Sequence, residues 1–170
     1  MHADLSKITT FLMDMDGVLT DGYALCMEDG TVLRGIQSKD GFAIQLAVRM
    51  GYRIGIISGG YSAGMQQRFE KLGVQDVFMR SGYKWDVYQQ YKQKYDLTDE
   101  EILYIGDDLP DYEIMKAVGY AVAPLDASDD IRAIAHWTST KAGGQGCVRE
   151  VIEKIMKIQS KWYTKEALIW

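Results

Sequence analysis

Short apolar runs alternate along this chain with longer stretches in which apolar residues return every three or four positions. That alternation predicts strands and helices in turn. The first run, Thr9 to Met13, is stopped by aspartates and reads as a buried strand. Residues 23–36, "YALCMEDGTVLRGI", carry the turn pair Asp29-Gly30 and read as a two-stranded excursion. "DGFAIQLAVRMG" sets Phe42, Leu46, Ala47 and Met50 on one helical face, with Gly51 as its stop. "YRIGIIS" suits a central parallel strand covered on both faces. A helix carrying Met65, Phe69 and Leu72 follows, closed by Gly73; then come a short strand, "DVFMR", and a helix over Trp85–Tyr95. Thr98 and Glu101 fit a capping box, "ILYIG" is another buried strand, and Pro110 suits the first turn of the next helix. "YAVA", a short helix near Asp129–Ala135 and a terminal helix from about Val148 complete the series. Repeated βα units predict an α/β fold, a doubly wound parallel sheet with right-handed crossovers, in a single domain over residues 1–170.

In such sheets ligands collect at the carboxyl ends of the strands. The residues that follow the buried runs are Asp14 and Asp16, then Ser58, then Lys84 after the weaker strand, then Asp107 and Asp108. "FLMDMDGVLTDG" gathers Asp14, Asp16 and Asp21, which are either solvated turn residues or neighbours of something positive. Carboxylates brought from two strands form an oxygen-only set that suits Mg²⁺. Such a set can serve phosphoryl transfer. At about 4 Å a carboxylate nucleophile and a dianionic phosphoryl group repel by about 8 kcal/mol at an effective dielectric of about 20, so the approach needs Mg²⁺ and the Lys84 ammonium. Ser58 and the backbone N–H groups of Gly59 and Gly60 can hold phosphoryl oxygens, while Ser58 can also cap the next helix. Asp111 reads equally as a first-turn helix carboxylate or as a support for the metal.

Composition narrows the partners. A net charge of −5 over 170 residues excludes a general nucleic-acid binder but not an anionic small molecule. Cys26 and Cys147, far apart and outside any C-x-x-C, predict free thiols. The start lacks the pattern of a signal peptide, and no run approaches the roughly 18 apolar residues of a membrane span, so a cytoplasmic protein is expected. His136 reads as structural, and Asp126, Asp129 and Asp130 as helix-capping and solvated. The aromatic tail, about residues 160–170, is expected in a subunit contact.

"DMDGVLTDG", the "IIS" strand end, Lys84 and "GDDLPD" resemble, in order, the four motifs of the haloacid dehalogenase (HAD) superfamily of phosphatases. That resemblance implies an HAD-like Rossmannoid sheet. It implies Asp14 as nucleophile and Asp16 as acid/base and, through its carbonyl, metal ligand. Ser58 and Lys84 would hold phosphate, Asp14 and Asp107 would bind Mg²⁺, and Asp108 and Asp111 would support the metal. "DGVLTDG", the hairpin, "SKDGFAI" and "GGQGCVRE" further resemble the 3-deoxy-D-manno-octulosonate 8-phosphate (KDO 8-phosphate) phosphatases along nearly the whole chain. This implies a capless enzyme, in keeping with the short intervals between motifs, and a homotetramer whose neighbouring subunits close each site. It also implies substrate contacts at Asp16, Gln37, Ser38, Lys39, Asp40, Gly41, Gln45, Arg68 and Lys84. The chain departs from the family's usual pattern twice. Lys39 stands where arginine is usual, and Ser58-Gly59-Gly60 stands where Thr-Gly-Arg is common. Lysine lacks the planar fork that matches a carboxylate.

The expected substrate is therefore KDO 8-phosphate, with a nine-carbon sugar acid 9-phosphate as the alternative. A receiver-like phosphoacceptor module is a remote third reading, disfavoured by the second carboxyl at Asp16.

Overall fold

The computed structural model describes residues 4–169. Its centre is β1 (Thr10–Met13), whose four residues are all buried. β1 pairs in parallel with β4 (Arg53–Ile57) on one side and β6 (Ile102–Ile105) on the other. With β5 (Asp76–Phe78), β7 (Tyr120–Ala123) and β8 (Trp137–Thr138) the sheet order is β5-β4-β1-β6-β7-β8, parallel throughout. The excursion after β1 is a small antiparallel hairpin of β2 (Leu25–Cys26) and β3 (Val32–Leu33). Among the described residues no cap domain interrupts the order.

Period-two alternation assigns each strand residue to one of two cores. Phe11 and Met13 of β1, Ile54 and Ile56 of β4, and Leu103 and Ile105 of β6 face a core closed by α1 (Ser38–Arg49), α2 (Ala63–Lys71) and α6 (Cys147–Ile158). Leu12, Ile57, Ile102 and Tyr104 face the opposite core, closed by α3 (Lys84–Tyr95), α4 (Tyr112–Ala117) and α5 (Asp129–Ile134). Gly55 has no side chain because a Cβ there would stand 2.5 Å from Leu12 and 3.2 Å from Tyr91. In α6, Val148, Val151, Ile152, Ile155 and Met156 return at helical spacing and are buried against α1.

The turn Asp99–Glu101 carries the capping box, with the Thr98 N–H donating to the Glu101 carboxylate at 2.9 Å. Pro110 opens the 3-10 turn Leu109–Asp111 that leads into α4. Ser58 does not cap α2; Ser62 does, accepting from the Met65 N–H at 3.3 Å. Asp126 does not cap α5 either, because its Oδ1 accepts from the Gly143 N–H at 2.9 Å. His136 is structural: its Nδ1 accepts from the Ala121 N–H at 3.0 Å and its ring stacks on Tyr120. Cys26 and Cys147 are both free. Trp162 is buried, edge-on to Phe42, and the Arg49 guanidinium holds the Ile169 carbonyl at 3.0 Å, so the tail folds back on α1 while Tyr163 and Leu168 stay exposed. Trp170 lies outside the described residues. Among them, no helix is long and apolar enough to cross a membrane.

Candidate active site

β1 lies at the switch point of the sheet, with the chain winding outward from it in both directions, and the crevice beyond its carboxyl end holds the polar cluster. Asp14, next after β1, is 8 % exposed. Lys84, the first residue of α3, is 4 % exposed, with its Nζ 2.9 Å from Asp14 and 2.7 Å from Asp111. Asp111 is fully buried and saturated: its Oδ1 also accepts from the Tyr104 hydroxyl at 2.6 Å, and its Oδ2 from the Asp107 N–H at 3.1 Å.

Asp14, Asp107 and Asp111 bring carboxylate oxygens within 4.8 Å of one another. Three carboxylates share one ammonium there, and the Asp107 Oδ1 is buried with no hydrogen-bond partner. The excess negative charge has a direct signature. Burial, then the neighbouring Asp111 charge, pushes the Asp14 carboxyl up to about 6 despite Lys84. Burial, then Asp14 and Asp111, pushes Asp107 up to about 8. An orphaned oxygen among clustered acids fits a divalent cation, which removes the repulsion that otherwise requires protons. Gly17 (φ 88) shapes the same spot, because a Cβ there would stand 2.1 Å from the Asp107 Oδ2.

A pH test follows. In the metal-free folded state Asp14 and Asp107 keep protons that the unfolded chain has released above about pH 4, so their contribution to stability falls as pH rises through about 8. Magnesium chloride should therefore raise the thermal midpoint more at about pH 8.5 than at about pH 5, read by scanning calorimetry. Equal shifts at both pH values would show that these carboxylates do not take the cation.

Asp14, Asp16, Ser58, Gly59, Gly60 and Lys84 line one cavity of about 330 Å³, completed by Ser81, Gly82 and Pro110. Ser58 is 1 % exposed; its N–H donates to the Phe78 carbonyl at 2.8 Å and its Oγ accepts from the Gly60 N–H at 3.1 Å. Asp108 is exposed at the head of the turn, and Asp21 is a turn residue whose Oδ1 accepts from the Tyr23 N–H at 3.0 Å. "KAGGQG" buttresses the aspartate loop from behind. The Gly144 N–H donates to the Val18 carbonyl at 2.9 Å, and a Cβ on Gly143 would stand 2.0 Å from the Gly17 carbonyl oxygen.

The remaining sequence-predicted residues are not brought to this cavity within one chain. Gln37 and Lys39 line a separate cavity of about 700 Å³ beside α6. Arg68 lines a third, of about 630 Å³, between the hairpin and α2. Asp40 is 1 % exposed, its Oδ1 accepting from the Arg149 N–H at 2.6 Å, so it ties the start of α1 to α6. Ser38 is exposed at the start of α1, Gly41 packs against Arg68 and Leu72, and Gln45 accepts from Arg49.

Sequence reasoning missed two participants. Arg34, just past β3, folds back so that its Nε lies 2.7 Å from the Asp16 Oδ1. Thr20 is fully buried; its hydroxyl donates to the Asp16 Oδ1 at 3.3 Å and accepts from the Gly17 and Gly22 N–H groups. The signal for Arg34 was a lone cation directly beyond a hairpin near the aspartates.

The chain is similar to proteins of known activity along most of its length. Residues 71–152 match the haloacid dehalogenase-like hydrolase family. The 3-deoxy-D-manno-octulosonate 8-phosphate phosphatase KdsC of Escherichia coli K12 is 30 % identical over 159 residues, covering 94 % of this chain and 85 % of that protein. The chain belongs to the KDO 8-phosphate phosphatase family. It is thus a phosphatase of the HAD superfamily, and solved members of the family superpose closely. The Yersinia pestis enzyme gives a TM-score of 0.90 at 30 % identity, covering 92 % of this chain and 85 % of that one. The Moraxella catarrhalis enzyme, solved with magnesium ion, phosphate ion and a KDO molecule, gives 0.89 at 31 % identity, covering 92 % and 90 %. The cobalt-bound Haemophilus influenzae enzyme gives 0.90 at 26 % identity, covering 98 % and 99 %.

Proposed function

We propose that this chain hydrolyses the phosphate monoester of a 2-keto-3-deoxy sugar acid, KDO 8-phosphate foremost, to the free sugar acid and inorganic phosphate. The observation that carries the reaction is the buried Asp14 carboxylate paired with Lys84 on the floor of a cavity walled by Ser58, Gly59 and Gly60. The substrate class is supported by the KDO molecule in the Moraxella catarrhalis relative.

An Asp14 oxygen attacks phosphorus as the P–O bond to the sugar breaks, leaving an aspartyl-phosphate. Asp16 gives its proton to the departing alkoxide, then takes one from the water that attacks phosphorus and frees Asp14. Lys84, the Ser58 hydroxyl and the N–H groups of Gly59 and Gly60 hold the phosphoryl oxygens. Asp14, the Asp16 carbonyl and Asp107, with Asp108 and Asp111 in support, would hold Mg²⁺, which would supply positive charge against the repulsion between the carboxylate and the phosphoryl group. Arg34 and Thr20 fix the Asp16 carboxyl.

The sugar contacts lie at Gln37, Ser38, Lys39, Gly41, Gln45 and Arg68, with Asp40 anchoring their segment. In one chain Gln37, Lys39 and Arg68 border other cavities and none of the six lines the Asp14 cavity, so they reach substrate in a homotetramer, presented by a neighbouring subunit. The exposed Tyr23, Leu25 and Leu33 of the hairpin, together with the tail, supply the apolar contact surface, in a cytoplasmic protein.

Phosphate release from KDO 8-phosphate and from a nine-carbon sugar acid 9-phosphate, with and without Mg²⁺, tests this. One carbon of substrate length supports about a tenfold preference in kcat/KM for the eight-carbon ester. Chelation should abolish release and added Mg²⁺ restore it. A preference for the nine-carbon ester would replace the substrate, and no release from either would end the reading.

A further inference from the structure

Among the described residues, three other than glycine adopt left-handed backbone angles: Arg80 (φ 58), Asp96 (φ 51) and Ser160 (φ 57). Asp96 and Ser160 sit at the ends of α3 and α6, where a left-handed residue commonly closes a helix. Arg80 follows β5, so no helix end accounts for it. A long cationic side chain holds a conformation that glycine would take without strain, and strain of this kind marks functional positions.

The loop around Arg80 is fastened to the phosphate-binding loop. The Arg80 N–H donates to the Gly60 carbonyl at 3.0 Å and the Ser81 N–H to the Ser58 carbonyl at 2.9 Å. The Arg80 backbone therefore adjoins the active-site cavity, which Gly60, Ser81 and Gly82 line, while Tyr61 lines the neighbouring cavity between the hairpin and α2. Its guanidinium lies 4.4 Å from the centroid of the Tyr61 ring. Stacking on an aromatic face leaves the in-plane N–H donors free for a planar anion.

The two cations beside the aspartates are already engaged. Lys84 is bound to Asp14 and Asp111, and Arg34 to Asp16. Among the described residues no carboxylate pairs with Arg80. Position 60 has no spare room for a cation, because a Cβ there would already stand 3.1 Å from the Asp16 Oδ2 and 3.4 Å from the Arg34 guanidinium.

We infer that Arg80, seated on Tyr61, is a specificity residue that binds the carboxylate of the sugar acid while the phosphate lies on the cavity floor. This rests on the phosphatase reading above. The reacting atoms are at the floor, so Arg80 acts on substrate choice and not on the chemical step.

Arg80→Gly tests it, because glycine suits the backbone and the variant should melt at or above the wild-type midpoint. The measured quantity is the ratio of kcat/KM on KDO 8-phosphate to that on arabinose 5-phosphate, which lacks the carboxylate. Loss of a charge-assisted pair should lower this ratio about tenfold or more, through KM on the acid, with Arg80→Lys recovering only part. An unchanged ratio in Arg80→Gly overturns the inference while leaving the phosphatase reading intact. A wild-type enzyme without preference for the carboxylated substrate overturns the inference together with the sugar-acid substrate class, while phosphatase activity itself stands.

Discussion

Asp14→Asn should abolish turnover while leaving the protein folded and, without metal, more stable. Asparagine keeps the shape of the side chain and can still accept from Lys84, but its amide cannot attack phosphorus. A lost nucleophile costs about four orders of magnitude or more in kcat. Stability moves the other way. Burial and then Asp111 push the Asp14 carboxyl from 3.8 up to about 6, so above that pH its ionised form weighs against the folded state. A neutral amide removes that cost, a gain of about 1–3 kcal/mol that is complete above about pH 6 and absent below about pH 4. Urea midpoints at about pH 8 and about pH 4, beside phosphate-release assays, read both effects. Mass spectrometry of acid-quenched wild-type enzyme should find a phosphoryl group on the peptide containing Asp14. Undiminished turnover in the variant, or the phosphoryl group on another peptide, would remove Asp14 from its role.

What the sequence made legible follows from range. Thr10–Met13 is apolar on both faces of a sheet, so its burial and its stop at Asp14 are written in adjacent residues. Lys84 at the head of α3 was legible because each strand end in this fold opens on one crevice, and order along the chain then gives position. Arg34 was not, because its contact with Asp16 depends on how far the hairpin bends back, and nothing local specifies that bend. β8 escaped because two residues, Trp137 and Thr138, are too few to show a period. The cavities beside α6 and α2 show why Lys39 and Arg68 do not join Asp14 within one chain: α1 begins beyond the hairpin, and its first turn is tied by Asp40 to α6. Motif order can place residues at one end of a sheet without placing them in one cavity.

Lys84→Met carries the second large effect, and it separates folding from chemistry. The Lys84 ammonium sits between Asp14 and Asp111. Burial alone would discharge it, but Asp111 and then Asp14 hold it above the usual lysine range. Methionine fills much of the same volume without charge, which leaves three clustered acids and no cation. Breaking a buried pair in this way should cost about 3–5 kcal/mol at about pH 8. The cost should shrink towards about pH 5, because Asp14 and Asp107, which already hold protons more tightly than free aspartates, take up protons in place of the ammonium. Magnesium should recover part of the loss at the higher pH by supplying charge to the same carboxylates. Catalysis should not recover with it. In the proposed reaction the ammonium also holds the phosphoryl group, so under conditions where the variant is folded kcat should remain about a hundredfold to a thousandfold below wild type. Urea melts across pH, with and without Mg²⁺, paired with kcat on the refolded variant, measure the two effects apart. Stability independent of pH would show that Lys84 does not neutralise the cluster, and wild-type kcat in a folded Lys84→Met protein would show that it plays no part in phosphoryl transfer.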